Sequence, residues 1–195
     1  MKSVLKENKK LLKELVYEEV NGKPIYYKNY KLVIKGKKTL EEVMASSIFQ
    51  SRIITALINL LSSKLNPIGY LVLGSELGVR TKKGFRSIDI AIYRKDDIKA
   101  YKNLLKYVPI TPLICIEVDT KAELKNKDIM DYISEKINDL FQKETNKVIW
   151  ILTKPRIILI AQKGKSWEIK KWDDDIEVME NITFNLDKLL REVGI

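Results

Sequence analysis

Residues 87–93 have the sequence SIDIAIY, and residues 112–120 have the sequence PLICIEVDT. Both stretches are rich in isoleucine and alternate in character, which is typical of β-strands. Alternate side chains of a strand point to opposite faces. Ile88, Ile90 and Ile92 are therefore predicted to share one face, and Asp89 is predicted to lie on the other face with Ser87 and Ala91.

The second stretch follows the same rule. Ile114, Ile116 and Val118 are predicted to share one face, and the opposite face holds Cys115, Glu117, Asp119 and, if the strand continues, Lys121. Burying a carboxylate without a partner costs free energy. The acids on these two strands therefore need a metal ion, another cation or water close to them.

Two carboxylates that converge from neighbouring strands can hold Mg²⁺, which prefers oxygen ligands and keeps several of its waters. A bound metal ion can activate water and offset the charge that develops on a phosphodiester in the transition state. A nearby lysine can orient that water or stabilise the negative charge. The pattern indicates metal-dependent phosphodiester hydrolysis, and the alternative interpretation is two strand-edge acids that face solvent.

Helical and extended patterns surround these strands. Thr39 and Glu42 form a capping-box pattern, which opens a predicted helix from about 40 to 65. Mixed helical periodicity covers 3–20, before a predicted turn at 21–24, and further helices are predicted over 124–143 and 185–193. Predicted strands cover 70–80, 85–93, 112–119, 147–153, 156–162 and 166–172, with a hairpin turn at Lys82-Lys83-Gly84. This order predicts an α/β (α+β) domain with a mixed central β-sheet flanked by helices.

The chain has 195 residues and carries neither an internal repeat nor a linker rich in proline, glycine or serine. One domain over 1–195 is therefore predicted. The first forty residues contain 11 lysines and 4 glutamates. Residues 1–38 are accordingly predicted to form a basic N-terminal extension that packs on the domain.

The formal net charge is +10. A positive excess favours polyanionic partners, above all nucleic acid, because binding releases condensed counterions. The alternative interpretation is a lysine-rich surface that serves solubility or thermal stability. The chain contains no histidine, which excludes Ser-His-Asp catalysis, Cys-His catalysis and histidine-based zinc sites.

The sequence also bears on location. No apolar run approaches the roughly 20 residues that a bilayer crossing needs. The charged N-terminus, MKSVLKENKK, lacks the features of a signal peptide. A lone cysteine, Cys115, rules out an intramolecular disulfide. A cytoplasmic protein is predicted.

Seven segments, in order along nearly the whole chain, resemble the Uma-type family of restriction endonucleases, within the PD-(D/E)XK nuclease superfamily. They are YEEVNGKPI at 17–25, KTLEEVMASS at 38–47, GSELGVR at 74–80, SIDIAIY at 87–93, PLICIEV at 112–118, NKVIWILT at 146–153 and ITFNLDKLLREV at 182–193. The resemblance implies a restriction-endonuclease-like core and a nuclease that uses Mg²⁺ or Mn²⁺.

By that resemblance, Asp89 stands at the family's Pro-Asp aspartate, with Ile88 in place of the proline, and Glu117 stands at the family's strand glutamate. Both are predicted metal ligands and catalytic residues. Asp119 occupies the position where a Glu-x-Lys motif has lysine. The catalytic lysine is then either Lys136, in the following helix, or Lys121.

Other residues are assigned by the same resemblance or by charge. Glu76 is predicted to be a third metal ligand, or to hydrogen-bond a water ligand, and its alternative role is pairing with a lysine. Gln50, on the first long helix, is predicted to approach the same site. Lys82, Lys83 and Arg86 are predicted to contact phosphates, and the alternative interpretation is a solvated turn.

The leading hypothesis is an endonuclease that hydrolyses phosphodiester bonds in DNA. A homodimer would suit cleavage of both strands of a duplex. The alternative is a catalytically inactive nucleic-acid-binding module that keeps the nuclease fold, which the missing lysine at position 119 favours. Hydrolysis of RNA or of another phosphoester is a third hypothesis.

Overall fold

A long hairpin, broken once in each arm, links two sheets of the fold. The structure is a computed structural model that describes residues 9–124, 128–179 and 181–194. The first arm of the hairpin contains β3 (Tyr70–Leu73) and β4 (Leu77–Arg80), and the second contains β5 (Gly84–Ile88) and β6 (Ile90–Arg94). β4 pairs with β5 in a four-stranded sheet, whereas β3 pairs with β6 in a six-stranded sheet.

The two breaks in the hairpin lie at the same level. Ser75 and Glu76 adopt positive φ angles of 67° and 54° in the first arm, and Asp89 forms a bend in the second. Single strands over 70–80 and 85–93 were predicted, and both predictions are wrong because the chain leaves one sheet there and joins the other. The predicted turn at Lys82-Lys83-Gly84 is confirmed, since it connects the antiparallel strands β4 and β5.

The bend at Asp89 also changes which side chains share a face. Ile90 and Ile92 pack in one core cluster with Ile114 and Ile116. Ile88, predicted to lie with them, instead packs in the other cluster, which also contains Ala91. The alternation rule holds only within a continuous strand, so the bend reverses the expected face of Ile88.

The larger sheet forms the centre of the fold. Its strands are ordered β10-β9-β8-β7-β6-β3. Besides β3 and β6 they are β7 (Ile114–Val118), β8 (Lys147–Leu152), β9 (Ile157–Gln162) and β10 (Glu168–Lys171). β7 and β8 are parallel, and the other neighbours are antiparallel. Every residue of β7 and β8 is buried, as expected for a parallel pair covered on both faces.

The N-terminal part of the described chain enters the smaller sheet. Residues 9–14 are helical, and β1 (Val16–Val20) and β2 (Lys23–Tyr26) then form a hairpin in the order β2-β1-β5-β4. Mixed helical periodicity was predicted over 3–20, and a helix is wrong for the described residues from β1 onwards. The predicted turn at 21–24 is confirmed, since Asn21 and Gly22 provide the positive φ angles that a tight hairpin requires.

Helices cover both faces of the larger sheet. They are α1 (Tyr30–Ile34), α2 (Leu40–Met44), α3 (Ile48–Leu65), α4 (Lys95–Ile98), α5 (Ile129–Phe141) and α6 (Leu186–Glu192). α5 and the smaller sheet pack on one face. α3, α6 and a hairpin of β11 (Asp175–Met179) and β12 (Ile182–Asn185) pack on the other.

The predicted helix over 40–65 is interrupted once. Thr39 and Glu42 form the predicted capping box of α2, with hydrogen bonds of 3.3 and 2.7 Å. Ala45 is extended, and the Ser47 hydroxyl then accepts a hydrogen bond of 3.1 Å from the Gln50 amide to cap α3. Serine favours such caps over helix interiors, which explains the break.

Gly84 is expected to be intolerant of a side chain. A Cβ at this position would overlap the main-chain carbonyl oxygen of Glu19 in β1. We expect Gly84→Ala to lower the free energy of unfolding by about 2 kcal/mol, measured by urea denaturation. Gly164→Ala is the control, because that glycine also has a positive φ but open space around it. Equal losses in the two variants would contradict the clash.

No helix within the described residues combines the length and apolar character needed to cross a membrane.

Candidate active site

A polar cleft lies at the level of the two hairpin breaks. Its volume is about 410 Å³. Charged side chains in its wall are Glu76, Asp89 and Lys121, and hydroxyl groups come from Tyr27, Ser46, Ser51, Thr55 and Ser75. The breaks put Glu76 and Asp89 into this wall, because each lies where the chain passes between the sheets. The predicted acids of the two arms therefore meet at one cleft.

Asp89 is held at the junction of the sheets. Its side chain is buried, with the residue only 5% exposed, and Oδ2 accepts a hydrogen bond of 2.8 Å from the Val118 amide in β7. Burial raises the pKa of the carboxyl group above its ordinary value, although the Val118 amide and the positive charge of Lys136 act in the opposite direction. A cation beside Asp89 would therefore stabilise its ionised form.

Glu117 lies in β7, next to Val118, whose amide binds Asp89. The residue is 1% exposed, and burial raises the pKa of its carboxyl group to about 8, with the Asp89 and Glu18 carboxylates adding to the rise against the charge of Lys136. Oε1 lies 3.0 Å from Lys136 Nζ, but this ion pair lacks the alignment of a hydrogen bond, and Oε1 has no other partner in the described chain.

Lys136, on α5, places a charged ammonium group inside the core. Nζ lies 2.9 Å from Glu18 Oε1 and 3.0 Å from Glu117 Oε1, and it donates a hydrogen bond of 2.6 Å to the Ser87 carbonyl. Burial alone would lower the pKa of Lys136, but Glu117 and Glu18 hold it well above the ordinary value. Of the two predicted lysines, Lys136 is the one beside Glu117.

Lys121 reaches the cleft from another side. Strand β7 ends at Val118, so the continuation that would have aligned Lys121 with Glu117 does not occur. Lys121 instead forms an ion pair with Glu76 and donates a hydrogen bond of 3.0 Å to the Met44 carbonyl. Tyr27 donates a second hydrogen bond, of 3.2 Å, to Glu76. Glu76 is thus paired with a lysine, which was the alternative role predicted for it.

Asp119 does not join the site-facing side of β7 as predicted. Its φ of 56° turns the chain at the strand end. The carboxylate accepts hydrogen bonds from the Thr153 amide (2.8 Å) and the Thr153 hydroxyl (2.6 Å). It closes the end of the β7–β8 pair. A lysine at 119 would therefore not have faced Glu117 in this geometry.

Gln50 approaches the site through the main chain of β7. Its Nε2 donates a hydrogen bond of 2.7 Å to the Val118 carbonyl, and the residue is 7% exposed. The Val118 amide is bound by Asp89. Both polar groups of this peptide segment are thereby satisfied next to Glu117, which fixes the end of the strand.

Glu18, in β1, was not assigned to the site from the sequence. It is fully buried, and its carboxylate accepts hydrogen bonds from Arg86 Nη1 (2.8 Å), Tyr132 Oη (2.9 Å) and the Ser87 amide (3.2 Å), besides its ion pair with Lys136. Burial raises its pKa, but Lys136 and Arg86 outweigh that and lower it overall. The only local signal was an acid in the apolar context of YEEV.

The three residues predicted to contact phosphates differ in their exposure to solvent. Arg86 is fully buried and binds both Glu18 and Asp139, so its predicted role as a phosphate contact is incompatible with the structure. Alternation along β5 turns its side chain into the core. Lys83 is half-buried and lies 2.9 Å from Asp139, whereas Lys82 is exposed.

The donor set fits a hydrated divalent cation at Asp89 and Glu117. Glu117 Oε1 is buried with only the Lys136 ammonium group beside it among the described residues, and both carboxyl groups have raised pKa values. Within the described chain, no three acidic or cysteine side chains are grouped as a ready-made metal site, and Glu76 pairs with Lys121. Mg²⁺ accepts one or two carboxylates with water completing its ligands.

The fold is shared with the crystal structure of a candidate nuclease belonging to DUF820 from Anabaena variabilis. The two chains are 14% identical and superpose with a TM-score of 0.69, over 94% of this chain and 97% of that chain. No protein-family model matches this sequence, and neither does any curated protein. The likeness confirms the predicted fold class, a mixed α+β restriction-endonuclease-like domain with a central mixed sheet flanked by helices.

Proposed function

We propose that the protein is an Mg²⁺- or Mn²⁺-dependent endonuclease that hydrolyses phosphodiester bonds in DNA. The observation that carries the proposal is the position of Asp89 in the wall of a polar cleft, where it binds the Val118 amide next to Glu117, which in turn is paired with Lys136. The ordered resemblance to Uma-type nucleases supports it, as does the likeness to a candidate nuclease. The net charge of +10 suits a polyanionic substrate.

Each residue of the candidate site has a proposed role that follows from its position. Asp89 and Glu117 would hold the metal ion, which supplies an activated water and charge stabilisation when bound. Lys136 holds the Glu117 carboxylate in place from the interior. Lys121 lies in the cleft wall, where its ammonium group is paired with Glu76. That ammonium group could bind a phosphate of the substrate while it keeps Glu76 as a second partner.

A second candidate, a nucleic-acid-binding module without catalysis, has one observation in its favour. The Lys136 ammonium group is already enclosed by Glu18, Glu117 and the Ser87 carbonyl. A lysine so enclosed serves the fold whether or not a reaction takes place. A homodimer and a cytoplasmic location stay predictions from the sequence.

The test pairs calorimetric Mn²⁺ titration with plasmid nicking for the wild type and Asp89→Asn/Glu117→Gln. We expect the wild type to bind Mn²⁺ and to nick DNA, and the variant to lose at least about a hundredfold in nicking, since even outer partners of a metal site contribute 10- to 100-fold. Asp173→Asn/Glu192→Gln, which changes two exposed acids, is the control. The hydrolytic proposal fails if metal binding and nicking are the same in both variants.

A further inference from the structure

Residues 102–107 form an exposed loop in which apolar side chains stand between lysines. Its sequence is KNLLKY, and all six residues are exposed. Leu105 is 100% exposed, and Leu104 and Tyr107 are each 42% exposed. Single exposed apolar residues are common, but several together in one short loop are typical of an interaction surface.

The loop is held at both ends. The Leu104 amide donates a hydrogen bond of 3.0 Å to the Tyr101 carbonyl. Val108 forms a bridge to Val79 in β4, with bonds of 2.9 Å to the Gly78 carbonyl and 2.7 Å from the Arg80 amide. Lys143 Nζ also binds the Pro109 carbonyl at 2.7 Å. These contacts fix where the loop presents its tip.

Positive charge is concentrated on and beside the loop. Residues 99–107 contain three lysines, Lys99, Lys102 and Lys106, and no acidic residue. Exposed Arg80, at the end of β4, and exposed Lys82, in the adjoining turn, add to this charge, and Arg80 lies 5.2 Å from the Tyr107 ring centre. Protein surfaces that bind nucleic acid usually combine lysines, which contact the phosphate backbone, with aromatic and apolar side chains.

The loop adjoins the cleft through Tyr107. A Cβ on Gly78 would overlap the Tyr107 ring, so the ring lies directly on β4, two residues from Glu76 in the cleft wall. The same ring stacks on Phe85 at 4.2 Å. Glu76 in turn accepts a hydrogen bond of 3.2 Å from Tyr27, another residue of the cleft wall. A strand leaving the cleft along β4 would meet this loop.

We propose that the basic loop, residues 99–107, together with Arg80 and Lys82, is the surface on which nucleic acid lies beside the cleft. Lys102 and Lys106 contact phosphates, and Leu105 makes apolar contact with bases or sugars in a groove, as apolar side chains of many DNA-binding proteins do. Because this surface leads into the proposed hydrolytic cleft, its role rests on the proposed function.

The charge contribution is tested by the salt dependence of binding. Fluorescence anisotropy with a labelled 20-base-pair duplex, in EDTA so that hydrolysis plays no part, gives Kd over a range of KCl. Each phosphate contact contributes about 0.9 to the slope of log K against log salt. Lys102→Gln/Lys106→Gln should therefore reduce the slope by about 1.8. Lys171→Gln/Lys188→Gln, with the same charge change on β10 and α6, should leave it near the wild-type value. Equal slopes for the two double variants would overturn the assignment.

The apolar contribution is tested with Leu105→Ser. Leu105 would be buried against DNA in the complex. Its loss is therefore expected to weaken DNA binding about tenfold, while the slope of log K against log salt stays unchanged. Ile169→Ser is the control, since Ile169 is 66% exposed on β10. Vesicles of phosphatidylserine and phosphatidylcholine form a parallel arm. If Leu105→Ser loses vesicle binding and keeps DNA affinity, the loop is a membrane surface and the assignment is overturned.

The two proposals fail separately. Plasmid nicking with DNA affinity that is indifferent to the loop variants would overturn the loop assignment alone. Loop-dependent DNA binding without nicking in Mg²⁺ or Mn²⁺ supports the loop assignment and overturns hydrolysis. Absence of DNA binding by the wild type in EDTA would overturn the loop assignment directly.

Discussion

Lys136→Met is expected to lower the free energy of unfolding by about 3–5 kcal/mol, the usual cost of removing one partner from a buried ion pair. The ammonium group lies within 3.0 Å of both Glu18 and Glu117, and all three residues are at most 1% exposed. Methionine fills similar space but leaves the Glu18 carboxylate and the Glu117 carboxyl group facing an apolar side chain. Urea denaturation at pH 7 measures the loss, and plasmid nicking should fall together with it.

The design separates lost charge from lost packing. Lys136→Met/Glu117→Gln removes one of the two acids left without a base and should recover part of the stability. Lys188→Met, on an exposed site of α6, should change the free energy of unfolding by less than about 0.5 kcal/mol. A loss below about 1 kcal/mol for Lys136→Met, with no recovery in the double variant, would show that the buried ammonium group is not needed to compensate the acids.

Local patterns identified the strands but not the points at which the chain changes sheets. Alternation and isoleucine content placed the strand at 112–119 correctly to within a few residues and found extended chain over 85–93, but there the chain forms two strands in different sheets. The bend at Asp89 and the positive φ angles of Ser75 and Glu76 arise because two sheets share one hairpin. That is a tertiary requirement. Aspartate and serine are common in turns, but their type alone does not show that the chain changes sheets there.

Residues of the candidate site could be predicted from the sequence where their position depends on one strand. They could not be predicted where it depends on contacts between several strands. Asp89 and Glu117 interrupt apolar strands, so they could be found from the sequence. Glu18 is distant in sequence from Asp89 and Glu117. Its place in the buried charge cluster follows only from the packing of β1 beside Arg86 and Lys136. Arg86 was assigned to the surface because its neighbours in the turn are lysines, whereas its own side chain is fully buried.

The buried charges around Asp89 do not balance within the protein. The fully or nearly buried acids are Glu18, Asp89, Glu117 and Asp139, and the buried bases that pair with members of this group are Arg86 and Lys136. Asp139 is additionally paired with the half-buried Lys83. Glu18 has both bases as partners and a lowered pKa, so the unmet negative charge falls on Asp89 and Glu117, whose pKa values are raised. In the metal-free protein, a bound proton neutralises part of this negative charge, and the proposed cation would take the place of that proton.

This competition predicts that the metal-free protein loses stability as pH rises from about 5.5 to 8. Burial raises the pKa of Glu117 to about 8 from an ordinary 4.5, so the folded state binds more protons than the unfolded state in this range. The stabilising contribution is complete below about pH 4.5 and is lost as pH passes through 8. Asp89 acts in the same direction. Because the chain has no histidine, few other groups titrate there.

The measurement is urea denaturation in EDTA at several pH values for the wild type and Glu117→Gln. The wild type should lose on the order of 2 kcal/mol relative to the variant across the range, since one pKa unit corresponds to about 1.4 kcal/mol. Adding Mg²⁺ should flatten the wild-type curve and leave the variant nearly unchanged, because the cation takes the place of the proton on Glu117. Parallel curves for both proteins in EDTA would mean that Glu117 does not hold this proton. The loss of stability with pH would then have to come from Asp89, and Asp89→Asn would be the variant that removes it.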